Sequence, residues 1–79
     1  MSVIIYSKNN CPNCIKAKNK LKKYNPKILT LGIDITRELF FSKFPNAKQM
    51  PQITIDEKHI GGYEDIEKWL AFNTAGEDF

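Results

Sequence analysis

Two periods of apolar and polar positions run along the chain. Val3-Ile4-Ile5-Tyr6 is a short β-branched run of the kind that forms buried strands, and Ser7-Lys8-Asn9-Asn10 breaks it. From Pro12 to about Tyr24 the period lengthens to that of a helix. Cys14, Ala17, Leu21 and Tyr24 share one face there, while Lys16, Lys20 and Lys23 lie opposite. Pro12 suits the first helical turn, where its missing N–H is not needed, and Asn25-Pro26 ends the element.

Ile28 to Ile35 reads as a second apolar strand with Gly32 inside it. Thr36 is a good N-cap for a helix from Arg37 to about Phe44, with apolar residues at Leu39, Phe40 and Phe44. Pro45-Asn46 stops it. Gln52-Ile53-Thr54-Ile55 alternates as a strand, Asp56-Glu57 makes a turn, and Lys58-His59-Ile60 returns as a short strand. After Gly61-Gly62, a last helix from about Glu64 to Phe72 buries Ile66, Trp69 and Leu70; Asn73 to Phe79 lacks periodicity and is expected to fray. The order βαβαββα predicts an α/β domain. Its first two strands are parallel neighbours joined by a right-handed crossover and its last two form a hairpin. A four-stranded mixed sheet with helices on both faces follows.

Composition narrows this further. A chain of 79 residues is one small domain, burying only about 60% of the surface its unfolded form exposes, so a ligand must bind in a surface groove. The domain is expected over residues 1–73, with a tail at 74–79. No apolar run reaches the roughly 18 residues of a membrane span, and the start lacks the basic region of a signal peptide; a cytoplasmic, monomeric protein without membrane contact is expected. The net charge of +3 hides a split, since residues 1–33 carry +7 with no acidic residue and residues 34–79 carry −4. A basic half raises the question of a polyanion partner. Five of its lysines (Lys16, Lys18, Lys20, Lys22 and Lys23) fall on the first helix, where a solvated face is the ordinary explanation. No aromatic stacking platform or base-reading motif accompanies them, so nucleic-acid binding is not expected.

The chemistry-bearing motif is Cys11-Pro12-Asn13-Cys14, which holds both cysteines. A disulfide closing about 4 residues stabilises by only roughly 2 kcal/mol, against about 3 for a 15-residue loop, so the pair suits opening and closing better than stapling. Between a strand and a helix, a Cys-x-x-Cys reads as a redox motif. Cys11 would sit at the helix N-cap, where unpaired N–H groups and the positive end of the helix dipole favour a thiolate. A free thiol of pKa about 8.5 is only about 3% ionised at pH 7. Near-complete ionisation asks for about 5 kcal/mol of preferential stabilisation, of which a helix terminus supplies up to about 2. Cys14 S–H, local N–H donors and Lys8 are the sources for the remainder. A zinc site and a purely structural pair are the alternatives; zinc in a structural site takes four ligands, and the chain adds only His59, on a strand, to its two cysteines.

Three segments together resemble the glutaredoxin family. Cys11-Pro12-Asn13-Cys14-Ile15-Lys16-Ala17-Lys18 is similar to its active-site helix, Met50-Pro51-Gln52-Ile53 to its Val-Pro-Gln-Ile loop, and His59-Ile60-Gly61-Gly62-Tyr63-Glu64-Asp65 to its Gly-Gly turn. The resemblance runs from the first strand to about Leu70 and implies the minimal thioredoxin-like fold. It also implies glutathione-dependent disulfide exchange, with glutathione as co-substrate and no metal or tightly bound cofactor. Cys11 is then the nucleophile and Cys14 the resolving thiol. Lys8 would meet the glycine carboxylate of glutathione, and Pro51 would be cis, freeing the backbone of Met50 to pair with the cysteinyl residue. Gly61-Gly62 would let the backbone approach, and the N–H groups around Glu64 and Asp65 would hold the γ-glutamyl carboxylate. Asp65 would pair with the γ-glutamyl ammonium, and Arg37 is a further carboxylate-binding candidate.

The chain departs from the family at Asn13, often aromatic; at Gln49-Met50, usually Thr-Val; and at Glu64, often Ser, Thr or Asp. These departures bear on glutathione affinity rather than reaction type. They motivate a second reading, a glutaredoxin-like redoxin reduced by thioredoxin reductase. The implied partners are glutathione and disulfide-containing or glutathionylated proteins, ribonucleotide reductase among them. Ile15, beside Cys11 and off the core face, is a candidate protein contact.

Overall fold

The computed structural model describes residues 2–74. A central strand β1 (Val3–Ser7) pairs in parallel with β2 (Lys27–Thr30) and antiparallel with β3 (Gln52–Ile55), and β4 (Lys58–Gly61) closes the far edge. The order β2-β1-β3-β4 puts Ile5 between Ile28 and Ile53. Helices α1 (Pro12–Lys20), α2 (Arg37–Lys43) and α3 (Tyr63–Thr74) complete the βαβαββα order.

Strand alternation sorts the apolar residues into two layers. Val3, Ile5, Ile53 and Ile55 point to the face covered by α1 and α3, where they pack with Ala17, Leu21 and Ile66. Tyr6 points to the other face and meets Ile35, Phe40 and Phe44. Phe44 stands edge-on to Tyr6 with ring centroids 5.0 Å apart. Burial in this layer pushes the Tyr6 phenol above its usual pKa. Each fully buried Ile or Leu contributes roughly 1.5–3 kcal/mol, so Ile5, Leu21, Ile53 and Ile66 carry much of the stability of so small a domain.

Local chemistry explains the element ends. Thr36 caps α2, its Oγ1 accepting the Leu39 N–H at 3.1 Å; Phe40 and Phe44 turn inward while Leu39 stays half exposed. The single helix expected to Tyr24 instead ends at Lys20 and tightens into a 3-10 turn over Lys22–Tyr24, which Asn25 terminates in the left-handed region (φ 54°). The long strand expected over Ile28–Ile35 is also corrected. Pairing stops at Thr30, whose carbonyl accepts the N–H groups of Ile33 and Asp34, while the Asp34 carboxylate accepts the Thr30 N–H at 2.9 Å. Gly32, at φ 85°, makes that turn, and Leu31 touches Ile35 as an isolated bridge. Helix α3 starts one residue before the expected Glu64 and includes Asn73 and Thr74. The remainder of the expected tail, 75–79, lies outside the described residues. No helix among them is long and apolar enough to cross a membrane.

Candidate active site

The site is assembled where β1 hands over to α1. Cys11 is the N-cap of α1 (φ −123°, ψ 98°) and Pro12 its first residue. The Cys11 carbonyl accepts the N–H groups of Cys14 and Ile15, at 3.1 and 3.2 Å. Cys11 Sγ also accepts from the Cys14 N–H at 3.2 Å. The sulfur thus occupies the place that a Ser or Asp oxygen takes at other N-caps, against the positive end of the helix. Cys11 and Cys14 are joined as a disulfide, the oxidised form of the site. Both are buried, Cys14 at 1% exposure more deeply than Cys11 at 6%.

A second wall comes from the loop before β3. The Met50-Pro51 peptide bond is cis, and the Met50 carbonyl oxygen lies 3.7 Å from Cys11 Sγ. The Gly61-Gly62 turn closes against this loop. A Cβ placed on Gly62 would meet the Pro51 carbonyl oxygen at 3.4 Å and the Gln49 amide at 3.5 Å. Gly62 then caps α3, its N–H donating to Asp65 Oδ2 at 3.1 Å and its carbonyl accepting from Ile66. This is half of a capping box.

Cys11, Cys14, Met50, Pro51, Gly62 and Asp65 therefore form one connected cluster. Glu64 is exposed in the first turn of α3, and Lys8 and Asn13 are exposed on either side of Cys11 in sequence. The Arg37 guanidinium, at the start of α2, sits 5.7 Å from the Phe41 ring centroid and forms no ion pair among the described residues.

Sequence reasoning missed two supports. Gln52, buried on β3, donates from Nε2 to the Gln49 carbonyl at 2.9 Å, and its Oε1 lies 2.7 Å from His59 Nε2. Because the Gln52 amide nitrogen faces a carbonyl, its oxygen faces the imidazole, and His59 carries its proton on Nε2. The imidazole packs on Phe44, centroids 4.5 Å apart. His59 is thus engaged by Gln52, and among the described residues no three of His, Cys, Asp and Glu converge as metal ligands do. The only hint in the sequence was a Gln followed by Thr on the α2-facing side of an otherwise apolar strand. A surface groove of about 560 Å³ begins at Gln49, Gly62 and Asp65 and continues past His59 to Lys43 and Lys48. Neither cysteine lines it, nor do Met50 and Pro51; it meets the cysteine cluster only through Gln49, Gly62 and Asp65.

The glutaredoxin family model matches residues 3–60, strand β1 through the return strand β4. The chain belongs to the glutaredoxin family. Glutaredoxin 1 of Rickettsia typhi is 37% identical over 71 residues, which cover 82% of this chain and 66% of that protein. Glutaredoxin 1 of Escherichia coli is 30% identical over 82 residues, covering 92% and 96%. The chain thus spans just under two thirds of the first relative and nearly all of the second. Among solved structures, oxidised Escherichia coli glutaredoxin superposes with a TM-score of 0.75 at 28% identity, over 95% of this chain and 99% of that one. Francisella tularensis glutaredoxin 1 gives 0.71 at 29% identity, over 95% and 96%. The expected thioredoxin-like fold and four-stranded mixed sheet are borne out. Family membership and the Cys11–Cys14 pair together make this glutaredoxin-family chain a thiol–disulfide oxidoreductase.

Proposed function

We propose that the chain reduces protein disulfides and glutathione mixed disulfides, using glutathione as its electron source. The observation that carries this reading is the placement of Cys11 Sγ at the α1 N-terminus, bonded to the Cys14 N–H and facing the Met50 carbonyl. In the reduced protein the same N–H and the helix terminus stabilise a Cys11 thiolate. The thiolate attacks one sulfur of a substrate disulfide, forming a mixed disulfide and expelling the other sulfur as a thiolate. Cys14 attacks Cys11 Sγ, releases the second substrate thiol and leaves the Cys11–Cys14 disulfide. A glutathione thiolate then attacks Cys11 Sγ and frees Cys14. A second glutathione attacks the bound one, giving glutathione disulfide and the Cys11 thiolate. Two electrons pass from two glutathiones to one disulfide.

In this reading the tripeptide lies along the cluster. The Met50 backbone before cis-Pro51 pairs with its cysteinyl residue, with Asn13 on the opposite side. Lys8 takes the glycine carboxylate. The α3 N-terminus, through Gly62, Glu64 and Asp65, takes the γ-glutamyl end. The groove that begins at Gln49, Gly62 and Asp65 supports that direction. Arg37 ranks below these, since its guanidinium already rests on Phe41. Glutathione is a co-substrate here, with no tightly bound cofactor. Disulfide-bearing and glutathionylated proteins are the acceptors, in a monomer of the cytoplasm.

The test is the choice of reductant. Turnover of a protein disulfide with glutathione, glutathione reductase and NADPH should exceed turnover with thioredoxin reductase and NADPH by at least an order of magnitude. The opposite ranking would make the chain a thioredoxin-reductase-fed redoxin.

A further inference from the structure

The lysines of the first helix are not equivalent. Lys16 Nζ lies 5.9 Å from the Tyr63 ring centroid, Lys20 forms an ion pair with Glu67 at 3.6 Å, and Lys23 sits over the Tyr24 ring at 5.2 Å. These three tie the helix to α3 and to its own end. Lys18 and Lys22 make no ion pair among the described residues, and no acidic residue occupies the first turn of α1.

The two unengaged lysines share a stripe with the nucleophile. Positions separated by 4, 7 and 11 residues fall on one side of a helix, and from Cys11 those spacings reach Ile15, Lys18 and Lys22. Ile15 is 58% exposed. Lys18 is half-buried, and Lys22, in the 3-10 turn that continues α1, is exposed. The stripe starts at the Cys11 sulfur, passes an apolar step and ends in two cations that are unpaired among the described residues.

We propose that this stripe is the docking face for an acidic, extended segment of the protein substrate. The inference rests on the reading above in one respect, that Cys11 reacts with protein disulfides. Charge complementarity selects the occupant: among the described residues Glu67, which pairs with this helix, is held by Lys20, no ion pair neutralises Lys18 or Lys22, and like-charged segments are repelled by the stripe. Spacing says where its charges lie. With a rise of about 1.5 Å per α-helical residue and about 2.0 Å in the 3-10 turn, Lys18 and Lys22 stand about 10 and 17 Å along the axis from Cys11. An extended chain advances about 3.3 Å per residue, which places acidic residues about three and five positions from the attacked cysteine. An apolar residue between them and the cysteine meets Ile15.

The test uses prereduced protein and no glutathione, so its outcome does not depend on which reductant recharges the site. Two peptides carry the same internal disulfide, one with Glu and one with Gln at the third and fifth positions beyond the reacting cysteine. Each consumes one Cys11–Cys14 dithiol and yields one peptide dithiol, read by quenching with an alkylating reagent and weighing the products. The second-order rate for the Glu peptide should exceed that for the Gln peptide roughly five- to tenfold at low salt. That ratio should fall toward one at about 0.5 M salt. Lys18→Glu/Lys22→Glu should bring the ratio to one or below, whereas Lys58→Glu on β4 should leave it above about five. Using a ratio within each variant removes any general loss of activity. A wild-type ratio near one at low salt overturns the proposal, as does an equal fall in the Lys58→Glu control. Binding of anionic vesicles or of a polynucleotide through Lys18 and Lys22, with the peptide ratio at one, assigns the stripe to those partners and overturns it as well.

Discussion

The carbonyl oxygen of Met50 stands 3.7 Å from the Sγ of Cys11, although 39 residues separate the two along the chain. One belongs to the loop entering β3 and the other to the cap of α1, and the antiparallel β1–β3 pairing brings them together. The sulfur thus lies between a helix terminus, which would favour a thiolate there once the disulfide is reduced, and the backbone wall of the loop before β3. How that wall is held leads to the first prediction.

Gln52 anchors the loop by donating to the Gln49 carbonyl, one residue before Met50. Gln52→Ala should cost about 1 kcal/mol of stability in denaturant unfolding and should lower kcat/KM for a protein disulfide several-fold. Gln52→Glu keeps an acceptor for His59 but loses the donor to Gln49, so its kcat/KM should fall as far as that of Gln52→Ala. Wild-type activity in Gln52→Glu would show that the Gln49 bond does not hold the wall.

Gly61 adopts φ 128°, and a side chain there would collide with the Asp65 carboxylate. Gly61→Ala should therefore destabilise the fold by more than about 1 kcal/mol and displace Asp65 from the Gly62 N–H. Gly62→Ala should be milder in stability, because its new methyl meets the Pro51 oxygen at 3.4 Å. Denaturant midpoints for the two variants check the ranking.

Ser7 Oγ is fully buried at the end of β1 and has no hydrogen-bond partner among the described residues. A buried hydroxyl without a partner carries a desolvation cost of about 1–3 kcal/mol. Ser7→Ala removes the group at nearly constant shape and should raise stability by about 1 kcal/mol, read as a higher unfolding midpoint at unchanged slope.

Tyr6 supplies a pH dependence. Burial raises its phenol pKa in the folded state, so the folded chain holds this proton to higher pH than the unfolded chain does. Its contribution to stability is complete below the unfolded value of about 10 and is lost as pH rises through the folded value. Unfolding midpoints measured from pH 8 to pH 11 should fall at the alkaline end, and the Tyr6→Phe variant should lack that part of the decline.

Legibility in the sequence followed the range of the interactions. The Cys11 cap, Pro12 at the first helical position, the Thr36 cap and the Asp56-Glu57 turn depend on neighbours within four residues, and each was readable. The strand expected through Ile35 failed because the Asp34 side chain competes for the Thr30 N–H and Gly32 permits the turn, a local rearrangement that an apolar run conceals. The approach of Met50 to Cys11 joins segments 39 residues apart, the Gln52–His59 contact crosses the β3–β4 hairpin, and Gly62 closes against the Pro51 loop from beyond that hairpin. Periodicity carries no information about them. Met50, Pro51 and Gly62 entered the candidate site through resemblance alone; Gln52 entered only as part of a resembling segment and His59 only as a weighed zinc ligand, and neither was read as a support of the loop.

The central claim is that Cys11 reacts with glutathione mixed disulfides and that Cys14 serves only to resolve protein disulfides. The direct measurement is the glutathione-dependent deglutathionylation of a model protein by Cys14→Ser and by Cys11→Ser, beside reduction of a protein disulfide by each. Cys14→Ser should keep deglutathionylation while losing most disulfide reduction, and Cys11→Ser should lose both. Full deglutathionylation by Cys11→Ser, or none by Cys14→Ser, would contradict the account.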